Sequence, residues 1–335
     1  MSPDVETLFL RSDELADLAT PAEYVDAVRE GYRQRGNGAP AEPRTRLDSA
    51  DPPGFLTGYF AILPETGAMG GYNYAAGFGA RDAHFFLPLF DAESGKPLAL
   101  LDGASMNPSK TGAAGAVGID ALAREDATDL AVIGSGSQAR GQLLAAATVR
   151  DLETVSVFSP TAENRRAFAD SMDGSLDAAV TAVEDTETAL DGADIVITAT
   201  TASEPVFDGD LLEAGTHVTA MGQYDRKKRE VDATTIARAT YVPDLRTRID
   251  QDAGAYIQAL ADGAIDEGHV HAELGEVVAG VAEGRTSDDE ITLFDSGGTG
   301  IETVAAAHML YEKAREKGLG TTLPFSPASD AMPGR

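Results

Sequence analysis

The 335-residue sequence predicts an α/β protein, a doubly wound parallel sheet joined to a second, smaller α/β domain. Three observations predict it. From about residue 129, short apolar runs alternate with helical stretches. From about 41 to 102, apolar runs follow one another directly between glycine and proline turns. Apolar residues form 43% of the chain, enough for a core in each part.

The elements follow in order. Thr20 suits a helix N-cap, Pro21 the first helical position, and Glu23 completes a capping box. Tyr24, Val25, Val28 and Tyr32 make an apolar stripe at helical spacing, and Gly36 or Gly38 ends the helix. The runs "GFLTGYFAIL", "AMGGYNYAAGF", "HFFLPLFD" and "PLALLDG" predict antiparallel strands, with "DAESGKP" (91–97) as a hairpin turn. "SKTGAAGAVGIDALARED" predicts a helix of small residues that joins the two halves, because small side chains permit close backbone packing. Parallel strands are then predicted at "DLAVIGS", "TVSVFS", "IVITATT", "THVTAMG", "TYVPD" and "ITLFDS". "GIETVAAAHMLYEKAREKG" predicts the last helix, and the tail beyond it is expected to be loosely held.

Composition excludes several functions. Without cysteine there is no disulfide, thiolate nucleophile or Cys-ligated metal. The five histidines form no convincing metal pattern; the one close pair, His269 and His271, points apart on a helix, would share a face on a strand, and reads as structural or solvated rather than as a metal site. The net charge of −29, from 55 acidic against 26 basic residues, repels phosphate backbones and argues against nucleic-acid binding. The acid is spread along a well-patterned chain, which predicts a folded protein with a surface suited to high salt and hence a salt-loving source. No run approaches the eighteen or so apolar residues of a membrane helix. The N-terminal stretch lacks a basic region followed by an apolar one, so a soluble cytoplasmic protein is expected.

The stretch "DLAVIGSGSQARGQLLAA" (129–146) carries the first chemistry. Val132 and Ile133 end a strand, Gly134 allows a tight turn, and Gly136 lets the backbone approach a pyrophosphate. Ala139 stands where a third small residue permits close helix–strand packing. The following helix, opening with Ser137 and Gln138 after Ser135, would aim its N-terminal amides at phosphates. The next strand ends in Ser159, Pro160 and Thr161, with no carboxylate before Glu163 to accept from a ribose hydroxyl. These hydroxyls with Arg165 or Arg166 suit a 2′-phosphate, unless the arginines are merely a solvated helix face. The reading favours NADP, with NAD still open.

With these residues in place, the chain resembles the ornithine cyclodeaminase/mu-crystallin family, which includes archaeal alanine dehydrogenases and cyclic-ketimine reductases. The matching stretches are "EPRTRLD", "LFDAESGKPLALLDG", "SKTGAAGAVGIDALARED", "VIGSGSQARGQ", "REVD", "HAELGEVVAGVAEGRTSDDEITLFDSGGTGIE" and "YEKAREKGLG", in family order from about 41 to 320. The resemblance implies a Rossmann domain over 115–305. It implies a substrate-binding and dimerisation domain from 1–114 with 306–335, and so a homodimer. It also implies hydride transfer between NAD(P) and the α-carbon of an amino or imino acid; in cyclodeaminases the hydride is returned after ammonia leaves.

Arg44 matches the family arginine that pairs with the substrate carboxylate. A second such arginine is replaced by Lys110, followed by Thr111. The family's "G-V-K" lysine aligns with Asn73 in Gly71-Tyr72-Asn73, so that lysine is absent. The cyclodeaminase aspartate, six residues before the glutamate that Glu230 matches, is Tyr224, with Asp225 beside it. Tyr72, Tyr74 and Tyr224 read either as packing aromatics or as parts of a changed site. In the second case Asn73 hydrogen-bonds a carbonyl or hydroxyl, Tyr224 relays a proton, and Asp225 replaces the lost carboxylate. Thr111, Ala199, Met221, Gly222, Ser296 and Gly297 complete the candidate coenzyme contacts. The leading expectation is an NAD(P)-dependent oxidoreductase for a small carboxylate-bearing amino, imino or keto acid. The alternatives are ornithine cyclodeamination and a nucleotide-dependent binding protein with little turnover.

Overall fold

The structure, a computed structural model, describes residues 5–79 and 82–328. The ends of the N-terminal stretch and of the tail lie outside them. The chain forms two compact units, one running to Asn107 and resuming at Thr299, the other Pro108–Gly298. Sequence reasoning put the crossings at 114/115 and 305/306. Packing accounts for the difference. A Cβ on Gly112 would lie 2.2 Å from the Gly141 carbonyl oxygen, and one on Gly115 would strike the Gln142 side chain, so this stretch belongs with the second unit. Ile301 and Ala305 lie against Gly31, at 3.1 Å from a Cβ built there for Ala305, and so belong with the first.

The first unit is a seven-stranded sheet of β1 (Val5–Leu10), β2 (Thr45–Ala50), β3 (Pro53–Leu63), β4 (Ala68–Gly77), β5 (Phe86–Asp91), β6 (Pro97–Asp102) and a final strand, β14 (Thr321–Phe325). Its order is β14-β1-β6-β5-β4-β3-β2. β2 to β6 form an antiparallel meander, while β1 runs parallel to β6. The turn at 91–97 closes as expected: Asp91 N donates to the Lys96 carbonyl (2.9 Å), and Gly95 takes φ 70°. The tail differs from expectation. Thr321–Phe325 pairs antiparallel with β1. Its residues are mostly exposed, so backbone hydrogen bonds rather than an apolar run hold it, and no apolar pattern marks it in the sequence.

One face of this sheet is covered by the helices Pro21–Gly36 and Gly300–Glu316. The predicted capping box forms: Thr20 Oγ1 accepts from Glu23 N, and Glu23 Oε2 accepts from Thr20 N (2.8 Å). Along β3, Thr57, Tyr59, Ala61 and Leu63 are buried, while Leu56, Phe60 and Ile62 are exposed. Strand alternation therefore gives the sheet a second, uncovered apolar face.

The second unit is a parallel sheet of β7 (Asp129–Ile133), β8 (Thr154–Phe158), β9 (Ala179–Ala182), β10 (Ile195–Thr198), β11 (His217–Ala220), β12 (Thr240–Pro243) and β13 (Thr292–Asp295). The order is β12-β13-β11-β10-β7-β8-β9, with every pair parallel. The sequence pattern does not show β9, a four-residue edge strand of which only Val180 is buried. Both faces are covered: Leu130, Val132, Val155 and Ile197 pack on one side, and Ala131, Val196, Val218 and Leu293 on the other. Strand order reverses between β7 and β10, and the crevice beyond their carboxyl ends is where this architecture binds ligands. Among the described residues, no helix is long and apolar enough to cross a membrane.

Candidate active site

At the carboxyl end of β7 the glycines have different jobs. Gly134 has φ 133°, and its N–H donates to the Phe158 carbonyl (2.8 Å). A Cβ there would lie 2.4 Å from the Ala199 carbonyl oxygen, so the turn itself demands glycine. Gly136 caps the helix Ser137–Ala146 with φ −89° and ψ −176°, an extended conformation open to any residue. A Cβ on it would meet nothing within 4 Å. Its glycine therefore clears space in front of the helix N-terminus rather than easing the backbone. The helix start has no side-chain cap, so its first amides are left for a ligand. Ala139 is fully buried under the turn. Gln138 Oε1 is buried without a hydrogen-bond partner among the described residues. A cleared helix N-terminus and an orphaned acceptor fit a dinucleotide laid across this edge.

Ser159, buried at the end of β8, pairs through its hydroxyl with Ser135 (3.0 Å). Arg165 Nη1 donates to the Ser159 carbonyl (3.0 Å), which places its guanidinium at this strand end. Arg166 is exposed and unconnected to the strand end. Thr161 caps its helix without a side-chain hydrogen bond, leaving its hydroxyl available beside exposed Pro160.

Further along the edge, Ala199 ends β10 and Met221-Gly222 end β11; Met221 N donates to the Thr198 carbonyl (3.0 Å). Glu230, buried, accepts from Thr198 Oγ1 (3.0 Å), Thr200 N (2.6 Å) and Gly222 N (2.6 Å). Burial pushes its carboxyl above the usual range, against the pull of those donors. After β13, Ser296 Oγ donates to Asp244 Oδ2 (2.8 Å), and Gly297 N donates to the same oxygen (2.9 Å). Asp244 is held in turn by fully buried Arg248, which also bonds Asp252 and Asp295. Gly297 is constrained by that guanidinium, since a Cβ would stand 2.8 Å from Arg248 Nη1. Thr111 lies in the helix Asn107–Leu122 beside buried Lys110, whose Nζ is 3.5 Å from the Thr111 hydroxyl.

Tyr224 is partly exposed. The Asp225 carboxylate accepts from Lys227 N through Oδ1 (3.0 Å), which closes its own turn. His269 and His271 each bond a backbone carbonyl through Nε2, of Ile236 (2.6 Å) and Glu283 (2.8 Å).

In the first unit, Arg44 precedes β2 and is buried. Its Nη1 donates to Tyr74 Oη (2.7 Å), and its guanidinium lies 4.7 Å from the centre of the Tyr59 ring. Tyr74 packs on Phe85 (centroids 4.7 Å) and Phe55 (6.1 Å). Tyr72 Oη donates to the Gly103 carbonyl (2.7 Å); burial holds this phenol neutral, and its role is packing. Asn73 stands on the opposite face of β4 from Tyr72 and Tyr74. It pairs across from Gly58 on one side and Phe86 on the other, so it points to the face of Leu56, Phe60 and Phe86, away from Arg44. A slip of one residue turns a strand side chain to the opposite face. The Arg44 side of β4 belongs to Tyr72 and Tyr74. Period-two alternation could have found Tyr74; nothing local marks Thr198, Asp244 or Arg248.

A parallel sheet with this switch point and glycine turn defines a dinucleotide-binding protein of the Rossmann class. The profile of the ornithine cyclodeaminase/mu-crystallin family matches residues 5–318, and the chain belongs to that family. It is 34% identical over 248 residues to a Δ1-pyrroline-2-carboxylate reductase of Bacillus cereus, spanning 74% of this chain and 76% of that one. Among solved structures it resembles the Thermococcus litoralis Δ1-pyrroline-2-carboxylate reductase in complex with NADH and L-proline. The TM-score is 0.89 at 35% identity, over 95% of this chain and 100% of that one. It also resembles an archaeal alanine dehydrogenase dimer with bound NAD, with a TM-score of 0.89 at 31% identity, over 96% and 100%.

Proposed function

We propose that this protein is an NAD(P)H-dependent oxidoreductase that interconverts a small 2-imino acid, cyclic or formed from a 2-oxo acid and ammonia, with the corresponding amino acid. The observation that carries the reading is the Gly134–Gly136 turn at the strand-order switch, with cleared space before an uncapped helix. The relatives that reduce pyrroline carboxylate or handle alanine support the choice of C=N chemistry.

When bound, the nicotinamide coenzyme would supply the hydride that reduces the imino carbon, and the nitrogen would keep its proton or take one from solvent. The chain's part is to bind and orient. The Ser137 helix N-terminus and Gly136 hold the pyrophosphate. Ser159, Thr161 and Arg165 hold the adenosine ribose, and with no carboxylate at the end of β8 they favour a 2′-phosphate, hence NADPH over NADH. Arg44 holds the substrate carboxylate, its guanidinium oriented by the Tyr74 hydroxyl and the Tyr59 ring. Lys110 adds a point charge in the first turn of its helix.

Ornithine cyclodeamination is disfavoured because Tyr224 supplies no carboxylate at the family's aspartate position. The reading as a binding protein draws on one feature: the Arg44 face of β4 offers tyrosines where an ammonium would aid turnover. A homodimer is proposed through the uncovered face of the first sheet, where Leu47, Leu56, Phe60, Ile62 and Phe86 are exposed, Leu47 to 65% and Phe86 to 58%. The acidic surface favours work at high salt, and the protein is proposed to be cytoplasmic.

Steady-state assay of the purified chain, with NADPH or NADH and a panel of cyclic imino acids and 2-oxo acids plus ammonia, tests the reading. Turnover supports it. Tight dinucleotide binding with no turnover favours the binding protein, and no dinucleotide binding rejects both.

A further inference from the structure

The carboxyl edge of the parallel sheet contains a buried carboxyl group that bears directly on Gly222, one of the candidate coenzyme contacts. Glu230 sits in the loop after β11, 3% exposed. Its two oxygens take three donors from two other places: Thr198 Oγ1 and Thr200 N from the end of β10, and Gly222 N from the end of β11. Gly222 is glycine for this reason, because a Cβ would fall 2.3 Å from Glu230 Oε1. The loop is further tied by Val206 N donating to the Glu230 carbonyl (2.8 Å) and Gln223 Nε2 to the Thr200 carbonyl (3.1 Å). Between the two residues that Glu230 grips on β10 lies Ala199, and its carbonyl oxygen is the atom against which Gly134 makes its turn. A mechanical chain thus runs from one carboxylate, through Thr198 and Thr200, to the glycine turn across the β7/β10 switch.

We infer that Glu230 is a positioning residue for the dinucleotide: its carboxylate fixes the loops closing β10 and β11 at the spacing the Gly134 turn requires. This rests on the dinucleotide reading above. Three donors favour the ionised form, while desolvation outweighs them and raises the pKa. The charged groups lining the same space are Lys228 and Arg229 on its own loop and Asp295 at the end of β13. An isosteric amide would relieve the buried charge. It would also turn an NH2 toward a backbone N–H and release one of the two loops.

The test is Glu230→Gln in the full chain, titrated calorimetrically with NADPH and with NADH and assayed at saturating substrate. The dissociation constant should rise at least about tenfold. The rate at saturating dinucleotide should change less than about twofold, and the unfolding midpoint at pH 7 should fall by no more than about 3 °C. A merely structural role would lower the midpoint and leave affinity of the folded fraction intact. Thr198→Val, which removes one donor and keeps a strand-forming residue, should weaken binding by about threefold in a folded protein; it decides the matter should the glutamine variant not fold. Wild-type affinity in a folded Glu230→Gln protein, or in Thr198→Val, overturns the inference alone. A wild-type chain that binds neither dinucleotide overturns the coenzyme reading and this inference with it.

Discussion

Gly136→Val separates a ligand-binding turn from a plain one. The native backbone at 136 is extended, which suits a β-branched residue, and a Cβ meets nothing within 4 Å. The variant's stability should stay within about 0.5 kcal/mol of wild type. Binding should not. The valine methyls would project in front of the first amides of the Ser137 helix, where the reading places a pyrophosphate. Each charge-assisted hydrogen bond lost there is worth about 1.5–3 kcal/mol. Even one such loss raises the NADPH dissociation constant by at least about tenfold. Gly134→Ala is the counterpart. Its φ of 133° and the 2.4 Å approach of the Ala199 oxygen put the damage in the fold. It should cost about 1–3 kcal/mol and lower the unfolding midpoint by several degrees. Thermal unfolding by circular dichroism and NADPH titration by calorimetry measure the two effects; the chain has no tryptophan for a fluorescence reporter. Normal NADPH binding by folded Gly136→Val would refute the reasoning, and the stretch would be only a turn.

Three further outcomes are expected. NADPH should bind at least about tenfold more tightly than NADH, Arg165→Ala should erode that margin, and Ser159→Asp should invert it; equal affinities in the wild type would remove the 2′-phosphate assignment. Arg44→Ala should lower kcat/KM on the best carboxylate substrate by on the order of a hundredfold, and Tyr74→Phe, which keeps the ring packing and loses only the hydrogen bond, by about three- to tenfold; near-normal kinetics in Arg44→Ala would point to a substrate without a carboxylate. Burial lowers the His217 pKa to about 3, while Nδ1 and Nε2 sit 2.9 Å from the Thr292 and Thr219 hydroxyls. The native ring stays neutral and the unfolded one takes a proton near pH 6.5, so its contribution is complete above 6.5 and is lost as pH falls toward 3. Denaturant unfolding should therefore show wild type losing on the order of 3 kcal/mol more than His217→Gln between pH 6.5 and 4, and parallel curves would contradict the burial argument.

The sequence by itself determined the elements whose signals are local. The capping box at Thr20, the turn at 91–97, the glycine turn at 134–136 and six of the parallel strands were legible because short-range sterics and hydrogen bonding dictate them. The carboxyl edge of the parallel sheet was legible for the same reason, since most of the residues read there close its strands. Only the tertiary structure decided what depends on pairing and packing. β9 and β14 are short or exposed edge strands held by neighbours' backbones, so neither carries an apolar run. The unit crossings at 107/108 and 298/299 follow from glycine contacts between distant helices. The face on which Asn73, Tyr72 and Tyr74 stand was decided by strand register, where one residue reverses every side chain, and it is Tyr74 that bonds Arg44. Glu230 and Arg248 are ordinary charged residues in the sequence. Glu230 is buried against donors 8 to 32 positions away, and Arg248 against Asp295, 47 positions away, as well as Asp244 and Asp252 on neighbouring turns; burial of this kind leaves no local pattern in the sequence.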